Sequence, residues 1–64
     1  MYLGPGDTHP VVGVVARRLG LGTTSDYFSD ELAARVRGAQ MRLGQDPSGI
    51  IDEDLLDALL LTRK

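Results

Sequence analysis

An all-α fold of three short helices is what this 64-residue sequence predicts. Three observations point there. Apolar residues recur at helical spacing in three separate stretches; each stretch opens on a capping residue and closes on glycine or on basic side chains. Strand-like runs are limited to the dipeptides Tyr27-Phe28 and Ile50-Ile51, too short for an independent sheet though able to pair briefly.

Residues 1–6 read as an N-terminal arm and 7–64 as one helical domain. Pro5 between Gly4 and Gly6 favours irregular backbone, and Tyr2 and Leu3 are the side chains able to anchor the arm on the body or on a partner. The first helix is expected to start at Asp7 or Thr8, both good caps, with Pro10 in the first turn, where its missing N–H costs nothing. Val12, Val15 and Leu19 share one face, and Arg17 and Arg18 approach the negative end of the helix dipole. Gly13 costs the helix ~1 kcal/mol relative to Ala. Helix one therefore depends on tertiary packing, and Gly20 is placed to end it.

A polar loop, Thr23 to Asp26, leads to the only Phe, Phe28, and to the clearest helix start in the chain. Ser29 caps, Asp30 and Glu31 lie against the positive dipole end, and Leu32, Val36, Ala39 and Leu43 recur along one face until Gly44. After the turn-rich stretch Gln45 to Gly49, the third helix repeats this pattern: Asp52 caps, Glu53 and Asp54 follow, and Leu55, Leu56, Leu59 and Leu60 run to a basic end at Arg63-Lys64. These loop-to-helix junctions align at an offset of 23 residues, Phe28-Ser29-Asp30-Glu31-Leu32 against Ile51-Asp52-Glu53-Asp54-Leu55. Each reads as apolar plug, cap, two acids and first core residue.

Composition excludes several function classes. Nine acidic against seven basic residues give a net charge of −2 with no basic run, which disfavours sequence-independent nucleic-acid binding. The longest strongly apolar run, Leu59 to Leu61, is far short of the ~20 residues that span a bilayer, so no membrane partner is expected. Met1 to Gly6 has neither the basic start nor the apolar segment of an export signal, and the Met start and Lys64 end fit either a small whole protein or an excised module. Cysteine is absent, and His9 alone cannot assemble a zinc site. Asp52, Glu53, Asp54 and Asp57 lack the alternating oxygen spacing of a calcium loop, so no metal and no cofactor is implied. Ser25, Ser29 and Ser48 sit in turns or caps, where their hydroxyls have structural roles, which speaks against catalysis.

The sequence resembles the peptidoglycan-binding domain family. Gly6-Asp7-Thr8-His9-Pro10-Val11-Val12, with Val15 and Leu19, is similar to that family's opening turn and first helix. Phe28 falls at the Phe of its Asp-Gly-x-Phe-Gly loop, Val36 and Gln40 at the Val and Gln of its second helix, and Gly44 with Ser48-Gly49-Ile50-Ile51 at the glycine and second loop, with Leu59 closing the third helix. The match runs from about Gly4 to Leu60. Ala16 stands where the family has Gln, Ser29 and Asp52 where it has loop glycines, Leu32 and Leu55 where it has Thr, and Ala39 where it has Phe.

The resemblance implies a non-catalytic recognition module for cell-wall glycan or stem peptide, located at the cell wall or outside the cell. Tyr27 is then a candidate to stack on a sugar face or to pack half-buried. Gln40 either contacts the ligand or satisfies loop backbone beside the core. Arg17, Arg35 and Arg42 either pair with stem-peptide carboxylates or form a solvated face. The alternative is a small structural or interaction protein on the same fold, such as a bacteriophage capsid or tail subunit, meeting other protein subunits through Tyr2, Leu3, Leu60 and Leu61.

Overall fold

The computed structural model describes residues 2–22 and 25–61, and for Leu61 the backbone alone. Three helices form it: α1 (Pro10–Arg18), α2 (Asp30–Arg42) and α3 (Glu53–Leu56), the last continuing into a π-helical turn, Asp57–Leu61. No strand occurs among the described residues, only two isolated antiparallel bridges. The core combines Val12, Val15 and Ala16 of α1, Leu32, Ala33, Val36 and Ala39 of α2, Leu55 of α3, and the two plugs Phe28 and Ile51.

The first helix starts later than its sequence suggests. His9 is the N-cap: its Nδ1 accepts from Val11 N at 3.1 Å, and Pro10 occupies the first helical position. Asp7 and Thr8 are committed elsewhere. The Asp7 carboxylate accepts from Gly4 N at 2.8 Å, its carbonyl accepts from Phe28 N at 2.8 Å, and Thr8 bridges Tyr27. A cap at either position would need His9 inside the helix, and His9 is held extended (φ −164°, ψ 143°) by its bond to Asp26 O.

Glycine closes both long helices in the same way. Gly20 (φ 87°) donates to Arg17 O at 3.1 Å and Leu21 donates to Ala16 O at 2.9 Å; Gly44 (φ 75°) donates to Met41 O at 3.2 Å and Gln45 to Gln40 O at 2.8 Å. These paired bonds, with glycine in the left-handed region, are Schellman endings that satisfy otherwise orphaned carbonyls. Leu43, expected on the core face of α2, is instead 45% exposed as the C-cap residue. At the end of α2 the core layer is taken by the buried Gln40, bonded to the 48–50 loop, and Leu43 lies beyond it.

Starts repeat as well. Ser29 Oγ accepts from Leu32 N at 3.1 Å and Asp52 Oδ1 from Leu55 N at 2.9 Å, the same cap on α2 and on α3. The third helix does not remain α-helical to its end. In a regular helix Leu60 would stand ~140° around from Leu55. The wider π turn brings residues five apart nearer to alignment, and Leu60 is half-buried. The expected basic end, Arg63-Lys64, and the loop residues Thr23-Thr24 lie outside the described residues.

The strand-like dipeptides pair with the N-terminal segment. Leu3 and Ile51 exchange both backbone bonds, Leu3 N to Ile51 O at 3.0 Å and Ile51 N to Leu3 O at 2.8 Å. Gly6 N donates to Phe28 O at 2.9 Å, and His9 N donates to Asp26 O at 3.1 Å. One extended segment thus fastens the backbone of both plugs and holds the two loop-to-helix junctions together.

Candidate functional site

A cleft of about 300 Å³ opens between the end of α1 and the start of α2. Its apolar floor is Ala16, Leu21 and Leu32; its polar rim is Ser25, Ser29 and Glu31; Tyr27 supplies an aromatic wall. The Schellman ending of α1 places Leu21 and Gly22 there, because the left-handed Gly20 turns the chain back across Ala16. The Ser29 cap fixes where α2 begins, and so puts Glu31 and Leu32 of its first turn on the opposite side.

Tyr27 is 55% exposed, yet its backbone is held by the bridge to Thr8 and by donation of its N–H to Ser25 Oγ at 3.0 Å. Its neighbour Phe28 points the other way and is buried. Alternation along this short extended segment gives one ring to the core and one to the cleft. The result is an aromatic surface on a fixed backbone, beside a carboxylate and above an apolar floor. Such a surface can receive a small amphipathic group: a sugar ring by its apolar face or an amino-acid side chain by its stem.

The residues proposed from sequence for ligand contact do not converge. Tyr27 alone lines the cleft. Gln40 lies toward the far end of α2 with 0% exposure: its Oε1 accepts from Gly49 N at 3.0 Å, and its Nε2 donates to Ile50 O at 3.0 Å and to Ser48 Oγ at 3.4 Å. Buried and bonded on both ends of its amide, Gln40 offers no atom to a ligand; of the two roles open to it, the geometry is that of the loop-holding one. Arg35 donates Nη1 to Leu19 O at 2.8 Å, closing the end of α1 beside the cleft. Arg17 and Arg42 are exposed in the last turns of α1 and α2.

The residues nominated for protein contact divide in a similar way. Tyr2 is 79% exposed, whereas Leu3 is half-buried in its bridge to Ile51 and Leu60 is half-buried in the π turn; the Leu61 side chain lies outside the described residues. Among the described residues no three His, Asp or Glu side chains gather as a metal site, and no helix is long and apolar enough to cross a membrane.

Sequence reasoning missed Glu31 and Leu21 as parts of the site. Glu31 reads as a dipole partner of α2, and Leu21, just after the terminating glycine, carries no pattern of its own. The available signal was the glycine itself, since a Schellman ending returns the following residue toward the helix it closes.

No curated protein and no solved structure matches the chain. A family model does match, over residues 17–59, which include the C-terminal end of α1, most of the cleft, all of α2 and α3, and the beginning of the π turn. By that match and by its three-helix fold, the chain belongs to the peptidoglycan binding domain family.

Proposed function

We propose that the chain is a non-catalytic recognition module that holds bacterial cell-wall peptidoglycan at the cleft between α1 and α2, and that it works at the cell wall. The observation that carries this reading, beside family membership, is the half-exposed Tyr27 ring on the wall of that cleft. About 300 Å³ is the lower end of ligand-pocket sizes. It suits one sugar ring or one amino-acid side chain, the units from which a glycan cross-linked by short peptides is built.

Affinity in such a site comes from a few contacts made without reordering the protein. Tyr27 loses little freedom on binding because Thr8 and Ser25 already fix its backbone. Stacking on this one ring is one of the few contacts the site offers, so affinity per site is modest. Recognition of this strength suits a polymer that presents the same unit many times, where several modules or several copies add avidity.

The test is retention of the purified chain on insoluble peptidoglycan, with chitin and cellulose as controls. Saturable retention on peptidoglycan, weakened several-fold by Tyr27→Ala and preserved by Tyr27→Phe, is the expected result. Equal retention on all three polymers, or none on peptidoglycan by a folded sample, refutes the reading.

A further inference from the structure

We infer that the ligand group received by the cleft is a primary ammonium, paired with the Glu31 carboxylate and lying against the Tyr27 ring. The inference deepens the wall-binding reading and rests on it for the use of the cleft. Among the described residues lining the cleft, Glu31 is the one charged side chain. A carboxylate on the rim of an apolar and aromatic hollow prefers a cation to a neutral hydroxyl, because charge-assisted hydrogen bonds are the stronger kind.

Among the described residues, none of the usual structural partners of a first-turn Glu engages Glu31. Capping of α2 is performed by Ser29, and the third helical position, from which a Glu would reach back to the cap residue in a capping box, is Leu32. The residue one turn on, Arg35, is the natural i,i+4 partner for a Glu. Its Nη1 is instead directed to Leu19 O at 2.8 Å, and among the described residues Glu31 makes no ion pair. An exposed carboxylate without an ion-pair partner among the described residues thus borders a preformed hollow.

One further term opposes a cation and one favours it. The positive end of the α2 dipole, about half a charge, opposes it, but the first-turn carboxylates Asp30 and Glu31 together outweigh that end. The Tyr27 ring adds the attraction of an aromatic face for an ammonium. Below them Leu21 and Leu32 accept the carbon frame that carries the amine. In a wall polymer this group has two sources: the side chain of a diamino acid in the stem peptide, and an amino sugar lacking its acetyl group.

The experiment has two parts. Amide spectra of the ¹⁵N-labelled chain are titrated with Nα-acetyl-lysine amide and with methyl glucosaminide, each against its N-acetylated neutral counterpart, for wild type, Glu31→Gln and Glu31→Lys. Retention on peptidoglycan is measured in parallel before and after chemical acetylation of its free amines.

The expected result is movement of the Tyr27 and Ser29-to-Leu32 resonances with an ammonium probe and not with its acetylated form. Binding is expected to weaken roughly two- to fivefold in Glu31→Gln, as for an exposed ion pair, and to be abolished in Glu31→Lys, with lower retention on the acetylated wall. The lysine and glucosamine arms identify the source. Equal response to charged and neutral probes, or unchanged behaviour of Glu31→Gln, overturns the ammonium site while peptidoglycan retention still supports wall binding. A response to ammonium probes without retention on the wall supports the site and removes its wall assignment. Failure of both refutes both.

Discussion

Replacing Gln40 by Glu is expected to make the stability of this domain depend on pH in a way the parent domain does not. In the structure the two ends of the Gln40 amide meet opposite partners, Gly49 N–H at Oε1 and Ile50 C=O at Nε2, so the amide orientation is fixed by its surroundings. A protonated carboxyl reproduces both bonds, accepting from Gly49 and donating to Ile50. An ionised one keeps the first, turns an oxygen against the Ile50 carbonyl and carries its charge into a site with no solvent exposure. Burial and the facing carbonyl both disfavour the charged form, so the introduced carboxyl titrates above the ~4.3 of an unfolded Glu.

Because the folded chain then binds the proton more tightly than the unfolded chain, Gln40→Glu is closest to wild-type stability below pH ~4.3 and loses stability as pH rises through its raised folded-state value. Each unit of elevation removes ~1.4 kcal/mol. Two units remove ~2.7 kcal/mol, more than half of the ~3–5 kcal/mol that a core of this size supplies. The assay is urea unfolding followed by far-ultraviolet circular dichroism from pH 4 to pH 8, with each midpoint referred to wild type at the same pH so that native acids cancel. Gln40→Leu is the control. It leaves the buried Gly49 N–H and the Ile50 carbonyl unpaired at ~1–3 kcal/mol each, and is expected to be destabilised equally at every pH. A Gln40→Glu midpoint that keeps a constant offset from wild type over this range would refute the argument, since the amide would then not be gripping the loop as described.

Further outcomes follow from the same geometry. Gly13→Ala gains ~1 kcal/mol of helix propensity, but its new Cβ would collide with Asp26 Oδ1 and lie 3.3 Å from Ser25 O; because Asp26 O is bonded to His9 N, the loop yields poorly, and net destabilisation of ~1–2 kcal/mol is expected in thermal or urea unfolding. Ser29→Ala and Asp52→Ala each remove one cap bond and are expected to cost ~1 kcal/mol, with the effects additive in the double variant if the starts of α2 and α3 are independent. Removing residues 1–5 breaks both Leu3–Ile51 bonds and uncovers the plug beneath; a lower melting temperature and faster amide exchange at Ile51 are expected, and an unchanged exchange rate there would show that the arm is not fastened in solution.

What could be read along the chain was local. Ser29 with Asp30-Glu31 and Asp52 with Glu53-Asp54 announce helix starts because capping involves residues three apart. Gly20 and Gly44 announce helix ends because only glycine enters the left-handed region without strain. The apolar rhythm of α2 named Leu32, Val36 and Ala39 as core, and the offset repeat named Phe28 and Ile51 as equivalent plugs, both of them buried. Family membership was legible too, because the resemblance rests on turn and core positions such as Phe28, Val36, Gly44 and Ile51.

What tertiary structure decided was everything that depends on a second segment. Gly13, an apparent defect in α1, is where the 25–26 loop comes too close for a Cβ, a distance no pattern along one helix reveals. His9 caps α1 because Asp7 and Thr8 are taken by Phe28 and Tyr27, some 20 residues away. Gln40 stands at the family's Gln position, and both a ligand contact and a structural group stay open for it until the 48–50 loop is seen folded over its amide. The cleft assembles from the returned end of α1, the bridged Tyr27 and the first turn of α2, so its residue types are visible in sequence while their meeting is not. Local order is encoded within a few residues, where short-range sterics and single hydrogen bonds act. Which polar group faces a ligand and which is consumed by the fold is settled only where distant segments compete for the same donor or acceptor.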